Sequence, residues 1–210
     1  MATAQSKGIP ILINGTPQEY GFSGPRPGVT FDAIDYRAQG RGVGDQLGTC
    51  ITSKLGGNAK VFFATETDDQ AGKKEKEGAA LAALKAAAPT ATVVSTITAK
   101  DRSQSQKGIS AALQGHPDTT ALMSMNDEGL LGGLSAFATA GKQLGCAVDS
   151  GGNDKVVALA TSGEVYATVA LKFEADTKQS FDTLVKMQTN PKANGLVLTV
   201  PQQIVSGAAR

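Results

Sequence analysis

Ala121-Leu-Met-Ser-Met-Asn126-Asp127-Glu128-Gly129, followed by a helical stretch to Gly141, is the part of this chain whose reading decides the fold. The same layout recurs in Cys146-Ala-Val-Asp149-Ser150-Gly151-Gly152 and in Gly163-Glu-Val-Tyr-Ala-Thr-Val-Ala170. Each holds a short apolar run, and the first two end on polar residues. In an open α/β sheet such tips form the ligand-binding edge, because ligands bind beyond the carboxyl ends of parallel strands. Asn126 and Asp149 therefore read as strand-tip residues of a ligand-binding lobe.

Working outward, strand-like and helix-like segments alternate almost throughout. Gly8–Ile13, Val29–Ile34, Lys60–Thr65, Thr92–Ile97, Ala121–Met125, Ala167–Leu171 and Leu196–Val200 read as strands. Tyr36–Leu55, Ala71–Ala88, a stretch opened by Asp101-Arg-Ser-Gln104, a short helix from Asp154 and the segment Asp176–Met187 read as helices. The Pro- and Gly-rich stretch 16–28 is a loop. Short connections between alternating elements predict an α/β fold, a doubly wound parallel sheet of Rossmann-like type covered on both faces.

Composition narrows the function. The 210 residues are 40% hydrophobic and 19% charged with a formal net charge of +1, so the chain is globular and has no bulk attraction to nucleic acid or membrane. No apolar run reaches the ~18 residues of a membrane span. The first residues lack the pattern of a signal peptide, so either the protein is cytoplasmic or a leader has been removed. The isolated pair Cys50 and Cys146 reads as two buried free thiols; a bridge would need their Cα atoms within ~7 Å. One histidine, His116 in a turn, and no Cys-x-x-Cys give no zinc pattern and no cofactor. Gly40-Arg-Gly-Val-Gly44 lies inside a helical stretch and lacks the Gly-Lys-Ser/Thr ending of a phosphate loop. No activated nucleophile stands out, which argues against an enzyme. The sign-mixed run Lys73-Lys74-Glu75-Lys76-Glu77 reads as a solvated helix face with a Lys73–Glu77 pair.

Several segments, in order, resemble the type I periplasmic sugar-binding proteins, the ribose- and galactose-receptor group: Gly8-Ile-Pro-Ile-Leu-Ile, Asp35-Tyr-Arg-Ala-Gln-Gly40, Lys54-Leu-Gly-Gly-Asn-Ala-Lys-Val61, Glu77-Gly78, Ser124-Met-Asn-Asp-Glu128, Val148-Asp149 and Ala167-Thr-Val-Ala170. The resemblance implies the second of two α/β lobes with its crossing segments. The first lobe would precede Met1. Residues 1–28 would be a remnant strand and crossing loop, 29–171 the ligand-binding lobe, and 172–210 a crossing helix and final strand. It implies a sugar- or solute-binding component of a bacterial ABC transporter, periplasmic or cell-surface, serving a membrane permease in transport. The effector domain of a lactose-repressor-type regulator shares the fold and stands as the alternative.

The same resemblance implies the site. Asn126 would meet a sugar hydroxyl, leaving Asp127 to cap the following helix. Asp149 would accept from hydroxyls, with Ser150 as the other residue able to point inward. Lys73 stands where the family has an arginine, so a ligand contact and a solvated helix residue are both open. Lys100 stands where ribose-type receptors carry an aromatic, and Leu171 where they carry a glutamine. Lys73 and Lys100 together hint at an anionic or acidic-sugar ligand. Glu66 and Asp69 default to a solvated loop. The strand 8–13 and helix 176–187 lack their usual neighbours, which predicts mutual cover or a homodimer through those segments.

Overall fold

The structure, a computed structural model, describes residues 2–190 and 195–207. The chain divides into two compact units. One takes the residues up to Asp35 together with Leu171–Gln202, and the other takes Tyr36–Ala170 with the segment from Gln203. The division at Asp35 differs from the expected one before Val29, and strand pairing is the reason. The expected strand β2 (Val29–Ala33) does not join the large sheet; it hydrogen-bonds in parallel to β1 (Ile11–Asn14) and to β8 (Val197–Thr199).

In this first unit the register Ile11↔Val29 through Asn14↔Asp32 gives β1 a partner within the chain, so the expected unpaired strand is paired along one edge. Gly8 at φ 66° ends the short helix α1 (Ala2–Ser6), and the strand starts later than the apolar run suggests. A turn at Pro17–Tyr20 is closed by a capping box: Thr16 accepts from the Glu19 N–H, and the Glu19 carboxylate accepts from the Thr16 N–H. Phe31 is fully buried beside Tyr20 and Phe22. Helix α7 (Phe173–Thr189) begins earlier than expected. Its Ser180 donates to the buried Asp32 carboxylate at 2.7 Å. Burial raises the Asp32 pKa, Ser180 opposes the rise, and the Asp176 carboxylate adds to it. Ile9, Phe173, Phe181 and Val185 remain about half or more exposed.

The second unit is a six-stranded sheet in the order β4-β3-β5-β6-β7-β9, formed by Thr92–Thr98, Lys60–Thr65, Ala121–Ser124, Cys146–Gly151, Ala167–Leu171 and Gln202–Ser206. The β4, β3, β5, β6 and β7 pairings are parallel. Alternation along each strand divides the core into two layers. Val61, Phe63, Met123 and Val148 face α2 (Tyr36–Lys54) and α3 (Lys73–Ala87); Phe62, Leu122 and Ala147 face α4 (Arg102–Gly115), α5 (Asp127–Thr139) and α6 (Asp154–Ser162). This is the doubly wound α/β fold that the alternating pattern predicts.

Two details correct the sequence reading. Cys50 on α2 and Cys146 at the start of β6 form a disulfide, with Cα atoms 5.9 Å apart, rather than remaining free thiols. Both sit in the layer beneath α2, where packing brings together positions far apart in sequence. The glycine run of α2 serves packing: a Cβ at Gly40 or Gly44 would collide with the Lys76 or Ala80 carbonyl oxygen, so these glycines let α3 approach α2 closely. No helix among the described residues is long and apolar enough to cross a membrane.

Candidate functional site

The carboxyl ends of β3, β4 and β5 open onto a cavity of about 570 Å³. The β3–α3 loop contributes Glu66, Thr67, Asp69 and Gln70; the β4–α4 loop Ala99 and Lys100; the start of α5 Asn126 and Glu128. All of these lie in the second unit. Of the four sequence-derived site residues, Asn126 and Lys100 line this cavity, whereas Lys73 and Asp149 do not.

Asn126 is the N-cap of α5. Its backbone is extended at φ −157°, ψ 164°. Its Oδ1 accepts the Gly129 N–H at 2.8 Å, and its Nδ2 donates to the Ala99 carbonyl at 2.9 Å. The capping role expected of Asp127 thus falls to Asn126. Asp127 instead ties down the β6–α6 loop: its carboxylate accepts from Gly152 at 3.0 Å and from Asn153 at 3.3 Å. α6 starts at Asp154 as expected, and Asn153 supplies its N-cap. A Cβ on Gly151 would collide with the Asp127 carboxylate, so that glycine is required for the approach.

Asp149 is fully buried in the row Ser124, Asp149, Thr168, which sit in register on three adjacent strands. Its position relative to Ala147 places its side chain on the α5 side of the sheet, the same side as Asn126 by the same alternation. The two residues therefore occupy neighbouring strand ends, not opposite edges. Among the described residues no regular hydrogen bond closes on either Asp149 carboxylate oxygen or on the Thr168 hydroxyl. Burial pushes the Asp149 pKa well above its ordinary value; the adjacent Thr168 hydroxyl and the Lys76 ammonium oppose the rise, and the Asp127 carboxylate adds to it. Asp149 is buried and is not among the residues that line the cavity.

Lys73 turns back onto its own loop. Its Nζ donates to both Glu77 carboxylate oxygens, at 2.8 and 3.0 Å, and to the Glu66 carbonyl at 2.9 Å. The i,i+4 pair read from the sequence is present, and it consumes the ammonium. Lys100 is exposed at the rim. Asp69 across the loop is held below its ordinary pKa, chiefly by the Thr67 hydroxyl and its own backbone N–H, with a smaller pull from Lys100.

Lys76 was hidden from sequence reading within the sign-mixed run. Its side chain is 6% exposed, and its Nζ donates to Glu66 Oε1 at 2.6 Å, the Met125 carbonyl at 3.1 Å and Ser150 Oγ at 3.5 Å. One buried ammonium thus joins the tips of β3, β5 and β6. The signal that finds it is the buried stripe Lys76, Ala80, Ala83, Leu84, in which a lysine takes a core-facing position. Glu66, which reads as a loop residue, is 12% exposed and lines the cavity. Cys50 is committed to its bridge, and His116 follows α4 with its ring edge-on to Phe62.

The model for the periplasmic binding protein domain family matches residues 1–192. A comparison with curated proteins finds no match. Among solved structures, an ABC transporter periplasmic solute-binding protein from Actinobacillus succinogenes with bound D-allose superposes with a TM-score of 0.79 at 16% identity, covering 98% of this chain and 72% of that one. The periplasmic binding component of the arabinose ABC transporter from Shewanella sp. ANA-3, bound to alpha and beta-L-arabinofuranose, gives 0.74 at 21% identity, covering 97% and 67%. An arabinose-binding protein from Geobacillus stearothermophilus gives 0.76 at 17% identity, covering 97% and 70%. At these identities the structural likeness establishes the fold.

Proposed function

Because this chain belongs to the periplasmic binding protein domain family, we propose that it is the ligand-gripping part of a solute receptor for an ABC import system. Its solute is a sugar or sugar-like polyol, and its protein partner is the membrane permease. The observation that carries this reading is the cavity at the carboxyl ends of parallel strands, walled by Asn126, Lys100, Glu66 and Asp69. The sugars held by the structural neighbours support the ligand class.

In this reading the four expected residues divide their work. The Asn126 amide uses one acceptor and one donor internally, so a second lone pair and a second N–H remain for a hydroxyl. Lys100 offers a donor at the rim. Lys73 and Asp149 act through their neighbours: Lys73 through the Glu66 loop, Asp149 through Asp127 and the β6–α6 loop. The role is binding, without a catalytic step.

The Cys50–Cys146 bridge favours a periplasmic or cell-surface location, since such bonds persist in oxidising compartments. The same bridge weighs against a cytoplasmic, repressor-type effector domain. A second part of the partner reading is self-association of the chain through residues 8–13 and 176–187, supported by the exposed Ile9, Phe181 and Val185. Sedimentation velocity across a concentration series tests it; a strictly monomeric chain contradicts it.

Calorimetric titration of the full chain with D-allose and L-arabinose tests the function. The expected outcome is weak but saturable heat with at least one neutral sugar, reduced by Lys100→Ala. Absence of heat for both sugars, together with absence of any effect on melting temperature, counts against a sugar receptor.

A further inference from the structure

We propose that Glu66 is a specificity-determining ligand acceptor, built in place by Lys76, which makes this site take neutral or amine-bearing polyols and reject sugar acids. The inference rests on the sugar-binding reading and deepens it.

Glu66 follows the last residue of β3 and is held at every polar point of its backbone. Its N–H donates to Glu77 Oε1 at 3.0 Å, and its carbonyl accepts from Lys73 Nζ at 2.9 Å. Its Oε1 accepts from Lys76 Nζ at 2.6 Å. Three side chains from the first two turns of α3 thus fix one loop residue. Lys76 is fixed in turn by the Met125 carbonyl and Ser150 Oγ, so the arrangement is anchored to two further strands. Among the described residues no donor bonds Glu66 Oε2, while the residue lines the cavity with its side chain 12% exposed. An acceptor immobilised in this way loses little freedom when a ligand hydroxyl or ammonium reaches it.

The other carboxylates on the cavity are not held like this. Asp69 is exposed. Glu128 meets Arg102 at 3.3 Å with both side chains more than two-fifths exposed. The lysines that could welcome an anion are largely spent: Lys73 on Glu77 and the Glu66 carbonyl, Lys76 on Glu66, Met125 and Ser150. Among the described residues Lys100 alone lines the cavity as a cation, and Asp69 shares its field. The acidic ligand to which Lys73 and Lys100 point in the sequence is therefore disfavoured: a ligand carboxylate would meet the Glu66 carboxylate, with only the exposed Lys100 among the described lining residues to offset it.

The test is an amide-shift NMR titration of the full chain with L-arabinose, D-allose, D-galactosamine and D-galacturonate. The same titrations are run on Glu66→Gln, Lys76→Met and Lys76→Arg. The expected result is that neutral or amino sugars shift the amides around Thr67, Ala99 and Asn126, while galacturonate binds at least about tenfold more weakly. Glu66→Gln, which is nearly isosteric, reduces that discrimination by about tenfold, the effect of losing one charged hydrogen bond. Lys76→Met speeds hydrogen exchange at residue 66 and weakens sugar binding, and Lys76→Arg restores both in part. Galacturonate binding as tightly as the neutral sugars, or discrimination unchanged in Glu66→Gln, overturns the role of Glu66 and leaves the sugar reading standing. Absence of shifts with every member overturns the sugar reading and this assignment with it.

Discussion

Asn126 donates its side-chain N–H to the Ala99 carbonyl at 2.9 Å, so the residue that starts α5 also holds the loop carrying Lys100. Substitutions at Asn126 act on two elements at once. Asn126→Ala removes both the cap and the link and should lower stability by about 1–2 kcal/mol. Asn126→Asp keeps an acceptor for the Gly129 N–H but offers no donor to Ala99. It should cost less stability yet still disturb the Lys100 loop. Urea midpoints with amide shifts at residues 99–101 check this; equal stability loss in the two variants contradicts it.

Asp149 gives the chain a pH signature. The fold favours its protonated form, so above its ordinary pKa of 3.8 the folded chain binds more protons than the unfolded one. Its contribution to stability is greatest below that value and falls as pH rises toward the elevated folded pKa. The difference in melting temperature, Asp149→Asn minus wild type, should be near zero at pH 3 and should grow more positive as pH rises above 3.8 toward the elevated folded pKa. A difference independent of pH contradicts the assignment of an uncompensated carboxyl at this position.

The Cys50–Cys146 bridge closes a sequence separation of 96 residues within one core layer. A loop of that length is worth about 4–5 kcal/mol in the chain-entropy account. Cys50→Ser with Cys146→Ser, or reduction of the wild type, should lower the melting temperature strongly. Thermal melts with and without dithiothreitol measure it, and superposable melts contradict it.

The α2–α3 contact makes a steric prediction. Ala has better helix propensity than Gly by about 1 kcal/mol, yet Gly44→Ala should destabilise, because its Cβ would meet the Ala80 carbonyl and Ala83. Gly78→Ala, at an exposed position with open space around its Cβ, should be neutral or stabilising. Chemical denaturation of the two variants decides; the same sign for both contradicts the close approach.

The strand order's raw material was legible because local chemistry is legible. The bounds of β3 and β7 follow from their short, largely apolar runs, and Asp101 caps α4 as its spacing implies. What the sequence withheld were non-local choices. Val29–Ala33 looks like any strand, and only its pairing with Val197–Thr199 assigns it to the small sheet. Asn126 and Asp127 are both good capping residues. The competing demand of Gly152 and Asn153 on Asp127 settles which of them caps. Cys50 and Cys146 meet only once α2 lies on β6. Lys76 sits among four other charged residues whose side chains are largely wet or paired, and composition conceals the one that faces inward.

The most direct test of the central claim, that the tips of β3, β4 and β5 grip a small polyol, is a map of backbone amide shifts in the labelled full chain on addition of L-arabinose. The account predicts shifts confined to residues 66–70, 99–101 and 126–129. Shifts centred instead on α7 or the loop 16–28, with those three segments unmoved, would contradict it.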